Sequence, residues 1–560
     1  MPGELHIVPL GGVGEIGLNC LAVEYDGHIM VIDAGLMFPD EAMPGVDLVI
    51  PDFSWLTERA DKISGVILTH GHEDHIGAAG FLMRELTGFN VPIYGTRLTL
   101  ALAGEKLKQA RAAGLEAIEI SPRQKLRNGP FDLEFIRVNH SIPDGVAVAL
   151  NTPLGAVIHT GDFKIDQGSS EERLDLYKFA EYGERGVLAL LSDSTNADVP
   201  GYGVSEVEVG QTLKRIFRES PGRVILACFA SSLARIRQAA GAAKSAGRKI
   251  LFDGRGMVNI VKLAKSLGYL DIADEDQVSL AEAAALPDHE LAIVATGSQG
   301  EPMSALARMA GGDHRQIKIQ AGDTIIISAR FIPGNEKAIT RLIDLFYRQG
   351  ARVVDGRAVN VHASGHGLAE ELKMMLNLTR PRFVVPIHGE TRQLVRHGEL
   401  AGAIGWKRDH IWILENGSRL ILDENGARLG EPAPTGRKLV DGNRLGEPED
   451  PVLRSRLRLA DGGLVVVTVV ISADGAELLA PPRVAISGVH YENDIDLTLE
   501  AAAAAERVVN EWRSLRFCGA WPESPPDEEQ LTGLLQKEMR QLFRHSISRR
   551  PTIWPQIIWV

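Results

Sequence analysis

Between residues 69 and 75 the chain reads Thr-His-Gly-His-Glu-Asp-His, three histidines and an aspartate within six residues, directly behind the apolar run Gly65 to Leu68. No packing requirement produces such a cluster. Val66, Ile67 and Leu68 read as a buried strand that delivers imidazole and carboxylate donors to the loop at its end. Those donor types suit Zn²⁺ or Mn²⁺. Alternation on the loop lets His70 and His72 face one ion, while Asp74 and His75, on the first turn of a following helix, face a second. One motif cannot complete two coordination shells, so the chain must fold with other strands ending at the same place.

Three segments meet that demand. His140 closes the run Phe131 to Val138, Asp162 follows Val157 to Thr160, and His388 follows Phe383 to Pro386. A lone His or Asp is more often structural than a ligand. Three in the same strand-end context, after a motif that requires them, are read as the remaining donors.

At 560 residues the chain is too long for a single hydrophobic core. Residues 5 to 35 alternate short apolar runs with turns, as in a β-meander. From about residue 64 strands lead into helical stretches such as Gly77 to Leu86 and Leu98 to Ala113. The expected class is α/β, with an αββα sandwich at its centre. From 206 to 370 the texture becomes repeated strand-then-helix, and Arg382 to Pro386 resumes the earlier style, which predicts an inserted α/β domain. The expected parts are 1–205 and 371–437 for the sandwich, 206–370 for the insertion, 438–450 for a linker and 451–560 for a small α+β domain. Glu424 to Pro451 is Gly/Pro-rich and reads as connecting chain with one hairpin. In the last part strands are expected at Gly463 to Ile471 and Ile557 to Val560, with helices near Leu497 to Leu515 and Asp527 to His545.

Other signals exclude function classes. Gly12-Val13-Gly14-Glu15-Ile16-Gly17 matches a dinucleotide fingerprint, but that fingerprint must open a helix, and Leu18 to Tyr25 is short and ends at an Asp-Gly turn. It reads as a tight interstrand loop. The three cysteines, Cys20, Cys228 and Cys518, form no Cys-x-x-Cys pair, so neither a disulfide framework nor a thiolate zinc site is expected. With no signal-like N-terminus and no long apolar run, the expectation is a cytoplasmic protein without a membrane partner. The net charge of −13 opposes non-specific attraction to nucleic acid, although a local basic groove survives any global sum.

Together with the 69–75 motif, several further motifs resemble one family. They are Leu-Gly-Gly-Val-Gly-Glu-Ile-Gly (10–17), Val-Asn-His-Ser-Ile-Pro-Asp (138–144), Ser-Asp-Ser-Thr-Asn-Ala (192–197), Gly-Ser-Gln-Gly-Glu-Pro-Met (297–303), His-Ala-Ser-Gly-His-Gly (362–367), Pro-Ile-His-Gly-Glu (386–390) and the Arg-Arg-Pro ending near 549–551. The sequence resembles the metallo-β-lactamase fold with a β-CASP insertion, and within it the ribonuclease J family. The resemblance implies one ion held by His70, His72 and His140, a second by Asp74, His75 and His388, and Asp162 bridging them. Asp33 resembles an orienting aspartate behind the ligands. The three β-CASP motif residues would be Asp193, His366 and His388, a histidine at the last being associated with RNA-cutting members. Asp74, Asp193 and His366 are the implied catalytic residues.

Two adjacent cations lower the pKa of a shared water, present hydroxide to phosphorus and stabilise charge on the phosphate oxygens. By similarity His366 would protonate the leaving 3′-oxygen, giving 5′-monophosphate products. Ser231, Ser232, His362, Ala363, Ser364, Gly365 and His366 resemble the family's pocket for the 5′-monophosphate of single-stranded RNA. Without the resemblance, Ser231-Ser232 reads equally well as an ordinary helix N-cap. A filled pocket implies 5′-to-3′ exonuclease action, with internal cuts requiring RNA to thread past it. The processes implied are rRNA maturation and mRNA turnover. Leu18, Ala234 and Val489-His490-Tyr491 depart from the family pattern, which touches RNA contacts and the dimer surface rather than the ligands. Lys537, Arg540, Arg544, Arg549 and Arg550 read as a solvated face, and Trp554, Ile557, Ile558 and Trp559 as core or interface. A homodimer or homotetramer, dimerising partly through the C-terminal domain, is the implied assembly. A small-molecule hydrolase would not need the insertion with its pocket motifs, and a silent RNA-binding or assembly subunit would be expected to have lost ligands; all seven are present.

Overall fold

The computed structural model describes residues 3–40, 42–109, 116–168, 173–331, 335–357, 359–442, 444–447, 451–489, 496–515 and 527–560. His490, Tyr491 and Cys518 lie outside them. Two compact units are present, Met1–Met37 with Ile50–Arg437, and Phe38–Val49 with Lys438–Val560.

In the first unit, an eight-stranded sheet runs in the order Gly426–Leu429, Leu420–Asp423, Leu5–Gly11, Cys20–Tyr25, His28–Ile32, Ile63–Ile67, Ile93–Gly95, Ala117–Glu119. A six-stranded sheet runs Pro381–Ile387, Val187–Asp193, Gly155–His159, Val146–Thr152, Phe131–Arg137, Lys125–Asn128. Alternate residues of a strand point to opposite faces. Leu5, Ile7, Val23, Met30 and Ile67 of the first sheet therefore meet Leu133, Phe135, Val148, Leu150 and Val385 of the second in one buried core. On the other face of the second sheet Ile136, Ala147, Ile158, Leu190 and Val384 pack under helices Leu176–Arg185, Ala369–Thr379 and Thr391–Ala403. This is the expected αββα arrangement.

The insertion is legible in the register. Val187–Asp193 pairs in parallel with Pro381–Ile387, from Val187 opposite Pro381 to Asp193 opposite Ile387, so two neighbouring strands are separated by an entire domain in sequence. That domain holds a five-stranded parallel sheet, ordered Lys249–Asp253, Leu291–Ala295, Val224–Ala227, Thr324–Ile327, Arg352–Asp355. Its strands are buried on both faces, as parallel strands are. Val224, Leu226, Ile250 and Val294 face the helices from 206 to 267, and Ile225, Leu251 and Ile293 face those from 305 to 348. The chain leaves Val224–Ala227 toward one side of the sheet and Thr324–Ile327 toward the other, so the carboxyl ends of these two neighbours mark the switch point of the sheet. Ser231 and Ser232 follow the first of these strands, and Arg330 follows the second.

The second unit differs from expectation in three places. A helix, Pro451–Gly462, precedes strand Leu464–Ile471; Leu453, Leu457 and Ala460 recur at helical spacing, but of these only Leu453 is buried. A strand, Leu478–Ser487, pairs antiparallel with Leu464–Ile471 despite Pro481 and Pro482. It is an edge strand, where a missing N–H can face away from the ladder. The last strand, Thr552–Trp559, is the other edge and likewise accommodates Pro555. Val465, Val467, Val469 and Ile471 meet Ala501, Val509, Trp512, Leu535, Met539 and Phe543 of the two long helices. Ile557 and Trp559 pack against that cluster, whereas Trp554 and Ile558 are exposed, as are the five basic residues from Lys537 to Arg550. The expected connecting chain is also shorter. Gly426–Leu429 pairs with Leu420–Asp423 as the edge of the first sheet, and one hairpin joins Arg437–Asp441 to Arg444–Gly446. No helix among the described residues is long and apolar enough to cross a membrane.

Candidate metal centre

Strand Ile63–Ile67 ends in the loop that carries His70 and His72, and Glu73–Ile76 forms a short helix that turns Asp74 and His75 to the same side. The glycine loop from residue 11 to 17 is no helix start. It is followed by strand Cys20–Tyr25 and braces the motif from behind: Asn19 Nδ2 donates to the Asp74 carbonyl at 2.9 Å and meets His75 Nε2 at 3.1 Å. Backbones approach so closely here that a Cβ on Gly35 would lie 1.6 Å from the Asp74 carbonyl oxygen.

His140, Asp162 and His388 arrive from the ends of three strands of the second sheet. His70, His72, His140 and Asp162 place one donor atom each within 4.8 Å of one another, and so do Asp74, His75, Asp162 and His388. Asp162 belongs to both sets. Its Oδ2 lies 3.6 Å from His70 Nε2, 3.6 Å from His140 Nε2 and 3.3 Å from His75 Nε2, and its Oδ1 lies 3.6 Å from His388 Nε2. His388 Nε2 is also 3.3 Å from Asp74 Oδ2.

The outward nitrogens decide what the inward ones offer. His75 Nδ1–H donates to Asp33 at 2.7 Å, His140 Nδ1–H to the Gly365 carbonyl at 2.6 Å, and His388 Nδ1–H to Thr195 Oγ1 at 2.7 Å. Thr69 Oγ1 donates to Asp33 at 2.9 Å and so accepts from His70 Nδ1–H at 3.1 Å. Each bond keeps the Nδ1 proton outward and turns Nε2 inward, bare in His70 and His140 and bare in His75 and His388 once their second proton leaves, which is how outer partners prepare imidazoles for a metal. The inward nitrogens then crowd together: His72 Nδ1 lies 3.0 Å from both His70 Nε2 and His140 Nε2. Converging lone pairs of this kind, beside a buried Asp162 Oδ1 with no hydrogen-bond partner, fit divalent cations and little else.

Electrostatics separates the two sets. Burial holds the His70 and His140 imidazoles well below the usual histidine range and brings His72 down to about 4. Burial opposes charging of His75 and His388 as well, but Asp162, aided by Asp33 and Asp74 for one and by Asp193 and Asp74 for the other, holds both well above it. Backbone strain collects at the same place. Asp33 (φ 62) and His388 (φ 53) are both left-handed, a conformation that costs a non-glycine residue roughly 1–3 kcal/mol.

His366 stands beside the second set. Its Nδ1–H donates to Asp193 Oδ2 at 2.8 Å and lies 3.8 Å from Asp162 Oδ2. Burial resists its charging, yet Asp193 and Asp162 raise its pKa above the ordinary value. Asp193 also accepts from Thr195 N and Oγ1, at 2.9 and 2.8 Å.

The expected pocket residues divide. Ser232 caps helix Leu233–Ser245 by position, but its hydroxyl makes no capping bond, so the N-cap reading of the serine pair is not what the side chain does. His362 and Ser364 are half-buried, while the Ala363 methyl is 2% exposed in the apolar core with Leu233 and Cys228, leaving only its backbone for a ligand. The Gly365 carbonyl holds His140, and a Cβ there would lie 2.6 Å from the His140 ring. Asn19, Thr69, Thr195 and Asn196 were not assigned a role from sequence. Asn196 donates from Nδ2 to Ser364 Oγ at 2.8 Å and to the His366 carbonyl at 3.0 Å. Thr69, Thr195 and Asn196 carry only the signal of lying inside the same motifs, and Asn19 lies just past the first of them, since hydroxyl and amide contacts have no periodicity.

Comparison with known proteins follows the same division. Family profiles match at residues 13–186 (metallo-β-lactamase superfamily), 221–346 (ribonuclease J, β-CASP domain), 352–410 (Zn-dependent metallo-hydrolase RNA specificity domain) and 451–560 (ribonuclease J C-terminal domain). The chain is 42% identical over 558 residues to a ribonuclease J of Synechocystis sp., covering 99% of this chain and 86% of that one. It is 38% identical over 560 residues to ribonuclease J2 of Bacillus subtilis, covering 100% and 99%. A crystal structure of an Enterococcus faecalis protein of unknown function superposes with a TM-score of 0.53 at 16% identity, over 75% of this chain and 100% of that one, a likeness of fold alone.

Proposed function

The chain belongs to the ribonuclease J family, and from that premise we propose that it is a ribonuclease with two divalent ions. His70, His72 and His140 hold one, Asp74, His75 and His388 hold the other, and Asp162 is shared. The observation that carries the reading is Asp162, the one residue common to both donor sets, with one oxygen toward three histidines and the other toward His388. The matched Zn-dependent segment favours zinc over manganese.

Divalent ions held there supply the acidity that makes water a nucleophile at neutral pH and the charge that receives the phosphate oxygens. The protein does the rest. Asp33, Thr69, Thr195 and Gly365 keep the imidazoles turned inward. His366, whose Nδ1–H is held by Asp193, offers its Nε2 proton to the leaving 3′-oxygen, so products carry 5′-monophosphates and 3′-hydroxyls. Ser231, Ser232, His362, Ser364 and the backbone at 363–365 seat the 5′-monophosphate of single-stranded RNA, which directs 5′-to-3′ exonuclease action, with internal cuts when RNA threads past. The sandwich takes 1–205 and 371–437, the insertion 206–370 and the C-terminal domain 451–560, the last contributing to a homodimer or homotetramer. Such an enzyme serves rRNA maturation and mRNA turnover in the cytoplasm.

A time course on end-labelled RNA with defined 5′ ends, with metal analysis of the same sample, tests the reading. About two ions per chain and faster loss of 5′-monophosphorylated than of triphosphorylated RNA are expected. Equal rates on both ends would remove the pocket, and retained cleavage in Asp162→Ala would remove the metal centre.

A further inference from the structure

The loop that begins at His140 is held at its far end by the inserted domain. After His140 the chain runs Ser141-Ile142-Pro143-Asp144-Gly145 and re-enters the second sheet at Val146. Val138 N closes the loop by donating to the Gly145 carbonyl at 3.1 Å, and Val146 N ties it to the metal motif by donating to the Thr69 carbonyl at 3.0 Å. Asp144 is the residue on which the loop turns. Its φ of 70 lies in the left-handed region, which aspartate tolerates better than most residues. Its carbonyl accepts from Thr96 Oγ1 at 2.9 Å, and its Oδ2 accepts from Leu98 N, on the first turn of helix Arg97–Gln109, at 3.4 Å. A carboxylate at that pole of a helix is favourable. The same Oδ2 accepts from the hydroxyl of Tyr269.

Tyr269 belongs to the inserted domain. It follows helix Arg255–Leu267, which ends on left-handed Gly268, and its backbone is pinned twice: its N–H donates to the Ala264 carbonyl at 2.8 Å and its carbonyl accepts from Arg237 NH2 at 3.0 Å. Burial, and then the Asp144 carboxylate, push its phenol up, so the hydroxyl keeps its proton and remains a donor. Ile142 makes a second connection, since it is 1% exposed in the apolar core that holds Leu213, Leu233 and Val261 of the inserted domain. Both connections bear on the same side of the metal centre. A Cβ on Gly71, between His70 and His72, would lie 2.5 Å from Leu102 and 3.2 Å from Ile142. Ser141 Oγ lies 3.5 Å from His72 Nε2. The ligands of the other set are held from the sandwich instead, His75 by Asp33, His388 by Thr195 and the Asp74 carbonyl by Asn19.

We propose that Tyr269 and Asp144 form an interdomain latch that positions His140, so that the first ion is held tightly only while the inserted domain is seated against the sandwich. Tyr269 acts through His140 and is a positioning residue. Linkage makes the effect reciprocal: what the latch adds to the affinity of the first ion, that ion adds to the seating of the domain. The inference rests on the reading of the centre as two ions with separate ligand sets.

The test follows release of Zn²⁺ from the full chain to a chelator. Two phases are expected of the parent protein, and His72→Ala, which removes a ligand of the first set, identifies the first ion's phase by its loss. Tyr269→Phe removes one oxygen and should weaken that phase roughly fivefold or more, within the usual range of coupling between sites, with the other phase unchanged. Asp144→Gly, which suits the left-handed backbone but lacks the carboxylate, should do the same, and adding Tyr269→Phe to it should change nothing further. Asp144→Asn, whose amide oxygen still accepts from the hydroxyl, should keep more of the affinity than Asp144→Gly. Loading with Zn²⁺ should slow hydrogen exchange at the amides of 268–270 in the parent and not in Tyr269→Phe, a change that packing damage alone would not produce. An unchanged first phase in Tyr269→Phe, equal weakening of both ions, or a further loss in the double variant overturns the latch. Should Tyr269→Phe fail to fold, an unchanged first phase in Asp144→Gly overturns it alone. A parent protein that releases a single ion overturns the two-ion reading, and the latch with it.

Discussion

Asp33→Asn separates the metal centre's charge from its shape. Asparagine has the size of aspartate and shares its tolerance of the left-handed φ of 62 found here, so the backbone need not move. What changes is the bonding. Asp33 accepts from Thr69 N at 2.8 Å, Thr69 Oγ1 at 2.9 Å and His75 Nδ1–H at 2.7 Å. If the amide oxygen keeps Thr69 N, its NH₂ group faces two donors, and His75 must lose its partner or move its proton to the inward Nε2. Loss of such an outer carboxylate costs roughly 10–100-fold in metal affinity, about 1.4–2.8 kcal/mol. The unpaired buried donor costs the metal-free fold roughly 1–3 kcal/mol more. Chelator competition followed by metal analysis reads the first quantity, and thermal melting of the metal-free protein reads the second. The loss should fall more heavily on the ion held by His75, which bonds Asp33 directly, because His70 is reached only through Thr69 and His140 is oriented by Gly365 instead. Unchanged affinity for both ions would refute the argument, and equal loosening of both would refute its assignment to His75.

Two further outcomes follow from the same geometry. His75 and His388 have pKa values held well above the ordinary histidine value, so in the metal-free protein they are protonated at pH 7 and must release protons when a cation binds; His70, His72 and His140, held below it, are already neutral. Calorimetry in buffers of different ionisation enthalpy should find proton release at pH 7 with one ion and almost none with the other, and that ion's affinity should fall as pH is lowered; equal release by both contradicts the assignment. His366→Gln should reduce kcat by roughly 10²–10⁴ with both ions retained, the range of a general acid. Lost metal in that variant would show that His366 is a ligand, as its place in a third donor set with Asp162, Asp193 and His388 allows.

Much of the centre was legible before any fold was known, because its ligands sit in contexts that depend on local chain alone. A strand that ends in His or Asp announces itself by a run of apolar residues, and this holds for His70, His140, Asp162 and His388. Asp33 and Asp193 also close apolar strands, yet like His366 they are reached only through resemblance, since nothing in the local chain tells an aspartate that binds an ion from one that orients a ligand. The helix Pro451–Gly462 was missed because it buries little, and the strand Leu478–Ser487 because its prolines are tolerable only at an edge, a property of the sheet rather than of the segment.

The sequence alone pointed to two sets of candidate metal donors, since the motif at 69–75 and three strand ends leave no other economical use for those residues. Tertiary structure decided how they are shared and held. Only pairing of Val187–Asp193 with Pro381–Ile387 across the inserted domain brings His388 to Asp162, and only packing shows that Asp33, Thr195 and Gly365 fix the tautomers. The same holds for Arg235, which in sequence is one more basic residue on a helix. Its burial beside Glu206 and Lys164 depends on three elements meeting in space, and no local pattern encodes such a meeting.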